Sequence, residues 1–268
     1  MELDAIACVR TAYPTKFGVP RQPGLADALP ARVEFAPAYR NADAVRGLEG
    51  FDYVWLIWGF SHNDRGEASA ERPAWSPTVR PPILGGTARQ GVFATRSSFR
   101  PNGLGLSSVR LAGVELDAPY PDGSRGPVLH VRGADMVDGT PVYDVKPYLA
   151  DTDSHPQARL GWKQGVRWPE IERVVVPPDE MARVPEALRE GLVQVLRQDP
   201  RPAYTRRGQE DREFWVPLGS EPGEAVAVYF TVAAGLEADQ PAASELRVTR
   251  VRELSDDELD RLRATGTF

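Results

Sequence analysis

The sequence predicts a β-barrel-rich N-terminal domain followed by a small α+β C-terminal domain. Short runs of Val, Ile, Leu and aromatic residues crowd the first half, Gly and Pro punctuate them, and no long amphipathic helix separates them. Closely spaced strands without crossover helices argue for a barrel or curved sheet and against a doubly wound parallel sheet. A chain of 268 residues suits one large domain with a smaller companion. With 41% hydrophobic and 26% charged residues it has the material for a real core and a wet surface.

Taken in order, residues 6–9, 51–60, 91–95, 107–116, 128–134 and 141–145 read as strands of the first domain, 1–155. The stretch up to Pro169 mixes Asp, Pro, Gln and Trp without periodicity, so 156–169 is the expected linker. In 170–268, a strand is expected at 171–176. Asp179 is placed to cap a helix reaching Arg197, with Met181, Val184, Leu188, Leu192 and Val195 at helical spacing and Pro185 and Gly191 against it. Strands near 214–217, 225–231 and 245–251 complete the α+β unit. Ser255 and Glu258 form a capping box for a last helix, with Leu254 and Leu259 at the staple positions.

Composition excludes several functions. The single cysteine, Cys8, rules out an internal disulfide framework and Cys-rich zinc sites. His62, His130 and His155 stand far apart, so no metal site is expected. The acidic start MELDAIACVR is unlike a signal peptide, and the longest apolar run, 54–60, is far shorter than the about 20 residues that span a bilayer. A cytoplasmic protein is the expectation. The net charge of -6 counts against a polyanionic partner, yet its distribution does not. From Arg72 to Val114 there is no Asp or Glu, while Arg72, Arg80, Arg89, Arg96, Arg100 and Arg110 are all present.

The motifs are ambiguous one by one. GLGLSS, 103–108, fails the dinucleotide fingerprint, because Ser108 stands where the third glycine belongs and no helix follows, and it reads as a turn between strands. No serine lies in G-x-S-x-G. Asp135 and Asp138, or Asp144, have the look of acid/base carboxylates, but composition alone favours a turn between two strands for Asp138-Gly139. Two prolines stiffen the chain around Arg21 and Gln22, which suits either a ligand-orienting loop or a plain surface loop. After the apolar strand comes Phe60-Ser61-His62-Asn63, where an aromatic and an amide follow a rigid scaffold, as base recognition requires. TVRPPILGG, 78–86, reads as a Pro-stiffened loop.

Together, IACVRTAYPTKFGVPRQPG, NADAVRGLEGFDYVWLIWGF, WSPTVRPPILGG, GVFATRSSFRPNGLG and DMVDGTPVYDVKPYL closely resemble, in this order, the TrmO-like (TsaA/YaeB-like) tRNA N6-threonylcarbamoyladenosine methyltransferases, over about residues 5–150. QDPRPAY, 198–204, is similar to bacterial members as well. The resemblance implies a non-Rossmann, S-adenosylmethionine-dependent β-barrel methyltransferase with its cofactor near a homodimer interface and the tRNA anticodon loop as partner. Carried onto matching positions, it implies cofactor contacts from Arg21, Gln22, Pro23, His62, Asn63, Arg96, Leu104, Val137, Asp138, Gly139 and Thr140. Two positions depart from the family: His62-Asn63 replaces a His-Gln pair, and Gly103-Leu104-Gly105 stands where the family has Pro-Ile-Gly.

On this reading methyl passes to the exocyclic nitrogen of the modified adenosine, and the sulfonium is already activated, so positioning dominates. Asp138 or His62 is the candidate proton acceptor. Arg96 or Arg100 is the candidate partner of the threonyl carboxylate, and Arg80, Arg89 and Arg100 are the candidate RNA contacts. The C-terminal domain is a candidate tRNA-docking unit. The rival is a non-catalytic S-adenosylmethionine- or RNA-binding module with the same barrel; a second rival keeps the enzyme and changes the acceptor.

Overall fold

The computed structural model describes residues 3–60, 75–84, 88–166, 170–201, 212–233 and 245–265. Its first half is a closed antiparallel barrel. The chain lays down β1 (Ala7–Arg10), β2 (Pro30–Phe35) and β3 (Tyr53–Gly59), then the two-residue strands β4 (Thr78–Val79) and β5 (Gln90–Gly91), then β6 (Leu104–Pro119), β7 (Arg125–Arg132) and β8 (Thr140–Pro147). The barrel order is β1-β2-β7-β6-β3-β8, while β4 and β5 pair apart from it. Alternation explains the closure: Val9, Val33, Val54, Leu56, Leu129 and Val142 point inward and are essentially inaccessible.

Three differences from the sequence reading have physical causes. β2 was not anticipated, because Pro30 opens it and Arg32 and Glu34 dilute it to three apolar residues, yet Ala31, Val33 and Phe35 are all buried. Residues 91–95 are not a strand beyond Gly91. Val92 N–H bonds to Pro77 O (2.9 Å), and Thr95 N–H and Oγ1 both return to Val92 O (3.1 and 2.8 Å), which closes a 3-10 turn at Val92–Ala94. GLGLSS is the start of β6 rather than a turn. The turn precedes it, where Gly103 N–H bonds to Arg100 O (3.2 Å), and from Leu104 the run pairs with β3, placing Gly105 opposite Trp58 and Ser107 opposite Leu56.

A short helix, α1 (Ala150–Asp153), follows the barrel. The C-terminal part is a four-stranded sheet ordered β10-β11-β12-β9, formed by β9 (Arg173–Val175), β10 (Phe214–Leu218), β11 (Val226–Ala233) and β12 (Glu245–Glu253), with β9 parallel to β12. The helix expected over 179–197 is two, α2 (Pro178–Ala182) and α3 (Glu186–Arg197). Pro185 lacks the N–H that a continuous helix needs and instead starts α3, its carbonyl accepting from Leu188 N–H at 2.9 Å. Pro177 stands at the N-cap of α2, so Asp179 lies in the first turn rather than capping it. Gly191 belongs in α3 because Leu29 Cγ lies 2.2 Å from where a Cβ would stand. The capping box opens α4 (Asp256–Thr265): Ser255 N–H donates to Glu258 Oε2 (3.0 Å) and Glu258 N–H to Ser255 Oγ (3.3 Å), with Leu254 and Leu259 buried together.

One apolar core fills the barrel. A second joins α3 and one face of the C-terminal sheet to Ala12, Tyr13, Ala26 and Leu29 of the β1–β2 connection. The connection that leaves the barrel is thus packed into the other core. Gly219 N–H seals the junction by bonding to Ala12 O (2.8 Å).

Candidate functional site

The segment between β7 and β8 crosses one end of the barrel, held to the strand it passes. Thr11 Oγ1 donates to Met136 O (3.0 Å), Asp138 N–H to Tyr13 O (2.8 Å), Gly139 N–H to Val9 O (2.8 Å), and Gly24 N–H to Gly133 O (2.9 Å). These bonds fix the side chains of 135–140 without a ladder.

Beside this segment lies a cavity of about 770 Å³. One wall is barrel: Trp58 from β3, Leu104 and Ser107 from β6, with Asp135, Val137 and Thr140 beyond. The other is loop: Lys16, Arg21, Gln22, Arg96 and Arg100. A wider groove of about 1170 Å³ continues outward over Arg80, Arg89, Phe93, Phe99 and Trp162, sharing Lys16, Arg21, Gln22 and Arg96 with the first. Phe93 is 70% exposed and Phe99 53%, so the groove offers open aromatic faces among cations.

The barrel wall ends in an acid. Trp58 Nε1–H donates to Ser107 Oγ (3.0 Å), and Ser107 O–H donates to Asp135 Oδ1 (2.6 Å). Burial pushes Asp135 up to about 6, against the pull of the Ser107 hydrogen bond and of the Arg96 charge. Among the described residues it makes no ion pair and is the only carboxylate lining the inner cavity.

The loop wall is fixed from outside. Arg21 donates through Nη1 to Gln198 O (2.8 Å) and through Nη2 to Asp199 O (3.1 Å), and burial lowers the guanidinium's pKa against the pull of Asp199. The turn that presents these carbonyls contains Asp199 in the left-handed region (φ 50°), with its carboxylate in a buried bidentate pair with Arg201 (2.8 and 3.0 Å). Gln22 Oε1 accepts from Arg96. Arg100 donates to Thr95 O (2.8 Å).

Of the residues singled out by sequence, Arg21, Gln22, Arg96, Arg100, Leu104, Val137 and Thr140 line the inner cavity, and Arg80 and Arg89 line the outer groove. His62 and Asn63 lie outside the described residues. Pro23, Asp138 and Gly139 line neither cavity. The Asp138 carboxylate accepts from Thr11 N–H (3.0 Å) and faces Arg10 (3.7 Å) and Arg263 of α4 (3.6 Å), tying β1 to the C-terminal helix. Burial raises its pKa and these partners oppose the rise. Sequence reasoning passed over Trp58, Ser107, Lys16 and Trp162 and weighed Asp135 without choosing it. The only signal in the sequence was the DMVD pair itself; the turn closed by Thr140 N–H to Val137 O (3.2 Å) and the bonds to the β1 side decide where each acid points.

Among the described residues no group of His, Cys, Asp and Glu is placed to hold a metal, and no helix is long and apolar enough to cross a membrane.

Comparison with known proteins gives one consistent family. The family model described as the tRNA-methyltransferase O N-terminal domain matches residues 8–154, and that of the TrmO C-terminal domain matches residues 169–220. The chain is 41% identical over 216 residues to the tRNA (adenine(37)-N6)-methyltransferase of Escherichia coli K12, covering 78% of this chain and 85% of that one. It is 38% identical over 219 residues to a putative S-adenosylmethionine-dependent methyltransferase, RcsF, of Pseudomonas aeruginosa, covering 80% and 87%. The crystal structure of TrmO from Pseudomonas aeruginosa superposes with a TM-score of 0.64 at 28% identity, over 94% of this chain and 99% of that one.

Proposed function

Since the chain belongs to the tRNA-methyltransferase O family, we propose that it is an S-adenosylmethionine-dependent methyltransferase that methylates the exocyclic N6 of threonylcarbamoyladenosine at position 37 of tRNA. The observation that carries this reading is the inner cavity, with a buried acid on its rigid wall, arginines on its loop wall, and the aromatic, cationic groove leading into it. It acts on the anticodon loop, in the cytoplasm, as a homodimer, with 1–155 as catalytic domain, 156–169 as linker and 170–268 as a tRNA-docking unit.

The cavity fits the methyl donor. A volume of about 770 Å³ lies within the range of small-ligand sites, about 300–1,000 Å³. Trp58 and Phe60, packed edge-on with ring centroids 4.4 Å apart, supply an apolar wall, while Lys16 and Arg96 supply cations for a carboxylate. Arg21, Gln22, Arg96, Leu104, Val137 and Thr140 would hold the donor, with Pro23, Asp138 and Gly139 fixing the backbone of the two loops that carry them. When bound, S-adenosylmethionine supplies a methyl group already activated on a sulfonium.

The remaining work is positioning and proton management. Arg100 stands where a threonyl carboxylate would pair, and a guanidinium left unpaired against unmodified adenosine discriminates between the two acceptors. Arg80 and Arg89 reach the phosphates around a splayed base, for which Phe93 offers a stacking face.

The test is nucleoside mass spectrometry of tRNA incubated with the protein and S-adenosylmethionine. The expected result is a methyl on threonylcarbamoyladenosine and none on tRNA lacking that modification. Equal labelling of both would sink the specificity argument, and binding without S-adenosylhomocysteine release would leave a non-catalytic module.

A further inference from the structure

Within the inner cavity one acid stands apart from the other carboxylates of the molecule. Asp138, three residues on, is committed to Thr11 N–H, Arg10 and Arg263 and faces away from the cavity. Asp144 on β8 bonds to the N–H of Val145 (2.9 Å) and does not line the cavity. Asp135 lines it, is oriented by the Trp58–Ser107 relay, and has no ion-pair partner among the described residues. A relay that spends two buried donors on aiming one carboxylate is more than packing requires.

The acceptor nitrogen of the proposed reaction needs such a group. Its lone pair is delocalised into the purine ring and into the adjacent carbonyl, so it is a nucleophile only as its proton leaves. We propose that Asp135 is the catalytic residue that accepts this proton, an inference that rests on the methyl-transfer reading above. In the step, the N6–H bond breaks and its electron pair forms the N–CH3 bond. The proton passes to the Asp135 carboxylate, and the electron pair of the cleaved S–CH3 bond stays on sulfur. Charge is conserved, and no further reactant is needed.

The groups that face Asp135 set its behaviour: Ser107 from β6, with Trp58 of β3 behind it, Tyr13 from the β1–β2 connection, and Arg96 from the loop wall, with Lys16 and Arg100 on the same cavity. Ser107 and Arg96 favour the carboxylate, and burial opposes them and prevails. A base works only when ionised, so the rate rises with pH through the pKa of Asp135, about 6 in the ligand-free protein, and levels off above it.

The experiment uses the full chain, S-adenosylmethionine and tRNA carrying threonylcarbamoyladenosine in single turnovers across that range, with calorimetric affinity for S-adenosylmethionine. It adds 13C NMR of carboxyl-labelled aspartate in the ligand-free protein. Asp135→Asn is expected to lower the rate by about 100-fold or more, to abolish the acid limb, to remove a resonance titrating near 6, and to hold cofactor affinity within about threefold. Ser107→Ala, which removes a hydrogen bond to the ionised form and the bond that aims it, is expected to lower the plateau rate as well and to move both limb and resonance to higher pH. The second variant serves should the first fail to fold. An Asn variant with the wild-type rate and limb overturns the proposal, as does an affinity that falls in step with the rate, or a limb that Ser107→Ala leaves in place. A wild type that labels no tRNA overturns the methyl-transfer reading and this proposal with it; an active wild type beside an equally active Asn variant overturns this proposal alone.

Discussion

The two walls of the inner cavity are built on different principles. Trp58 and Ser107 sit on neighbouring antiparallel strands paired in continuous register, the irregularity at Ile57/Trp58 lying on the β8 side, and a closed barrel leaves no edge to fray. Arg21, Gln22, Arg96 and Arg100 sit on connections, and their side chains are placed by the Arg96–Gln22 bond between two connections, by Arg100 bonding back to Thr95 O of its own, and, for Arg21, by carbonyls of the C-terminal part. Among the described residues the C-terminal part lends no side chain to the inner cavity, yet it sets one of its walls. The groups that aim the reacting carboxylate stand on strands, the carboxylate itself on a crossing segment pinned to Val9, Thr11 and Tyr13, and groups that grip a ligand stand on loops that a second core holds down. Three substitutions and one control test that division.

The largest effect is expected on the barrel wall. Trp58 lies flat against the bare Cα of Gly105, so a Cβ there would stand 2.3 to 2.6 Å from three atoms of the indole. The indole is tied to Ser107, so it cannot retreat without breaking the relay to Asp135. Gly105→Ala is expected to cost about 3 kcal/mol in denaturant unfolding, the upper end of ordinary overpacking, and to abolish methyl transfer. Gly113→Ala, on the same strand with nothing within 4 Å of its Cβ, is the control and should be tolerated. Equal behaviour of the two would mean that the barrel wall adapts as readily as the loop wall.

The loop wall should yield more gently. Arg21→Ala removes two charge-assisted bonds to the carbonyls of Gln198 and Asp199, worth about 1.5–3 kcal/mol of stability, and frees the loop that carries Gln22. Cofactor affinity should fall while the acid limb of the pH profile stays in place, because Asp135 is aimed from the other wall. A fall in affinity with unchanged stability would show that Arg21 acts by gripping the ligand alone and does not brace the loop wall.

The same division governs what was legible in the sequence. The barrel was visible because short apolar runs such as VWLIW and VLHV, set off by Gly and Pro, are a local property, and only β2, shortened by Pro30 and charged at Arg32 and Glu34, escaped. The capping box of α4 was legible for the same reason. The loop wall has no periodicity, so Arg21, Gln22 and Arg96 became cofactor contacts only through family resemblance, and nothing local says that the carbonyls of Gln198 and Asp199 would meet a side chain 177 and 178 residues away. Asp135 and Asp138 show the limit most sharply. Both stand in DMVDGT, and composition ranks them alike. Which one faces the cavity is decided by where Thr11, Tyr13 and Val9 pin the crossing segment.

Keeping an acid unpaired on the rigid wall carries a cost, and that cost gives the smallest and most specific prediction. The folded state raises Asp135 from the ordinary carboxylate value of 3.8 to about 6, so between those values the folded protein holds a proton that the unfolded chain has released. Stability contributed by the protonated, buried acid is therefore complete below about pH 4 and is lost as pH rises through about 6. Asp135→Asn keeps the shape without the charge. Urea titrations of the ligand-free protein are expected to show the Asn variant matching wild type near pH 4 and exceeding it near pH 8, by on the order of 1 kcal/mol once solvent at the cavity mouth is allowed for. An advantage that is the same at both ends would mean that the carboxylate is not desolvated at all. An advantage that grows with pH in an inactive variant would show stability exchanged for chemistry at one atom.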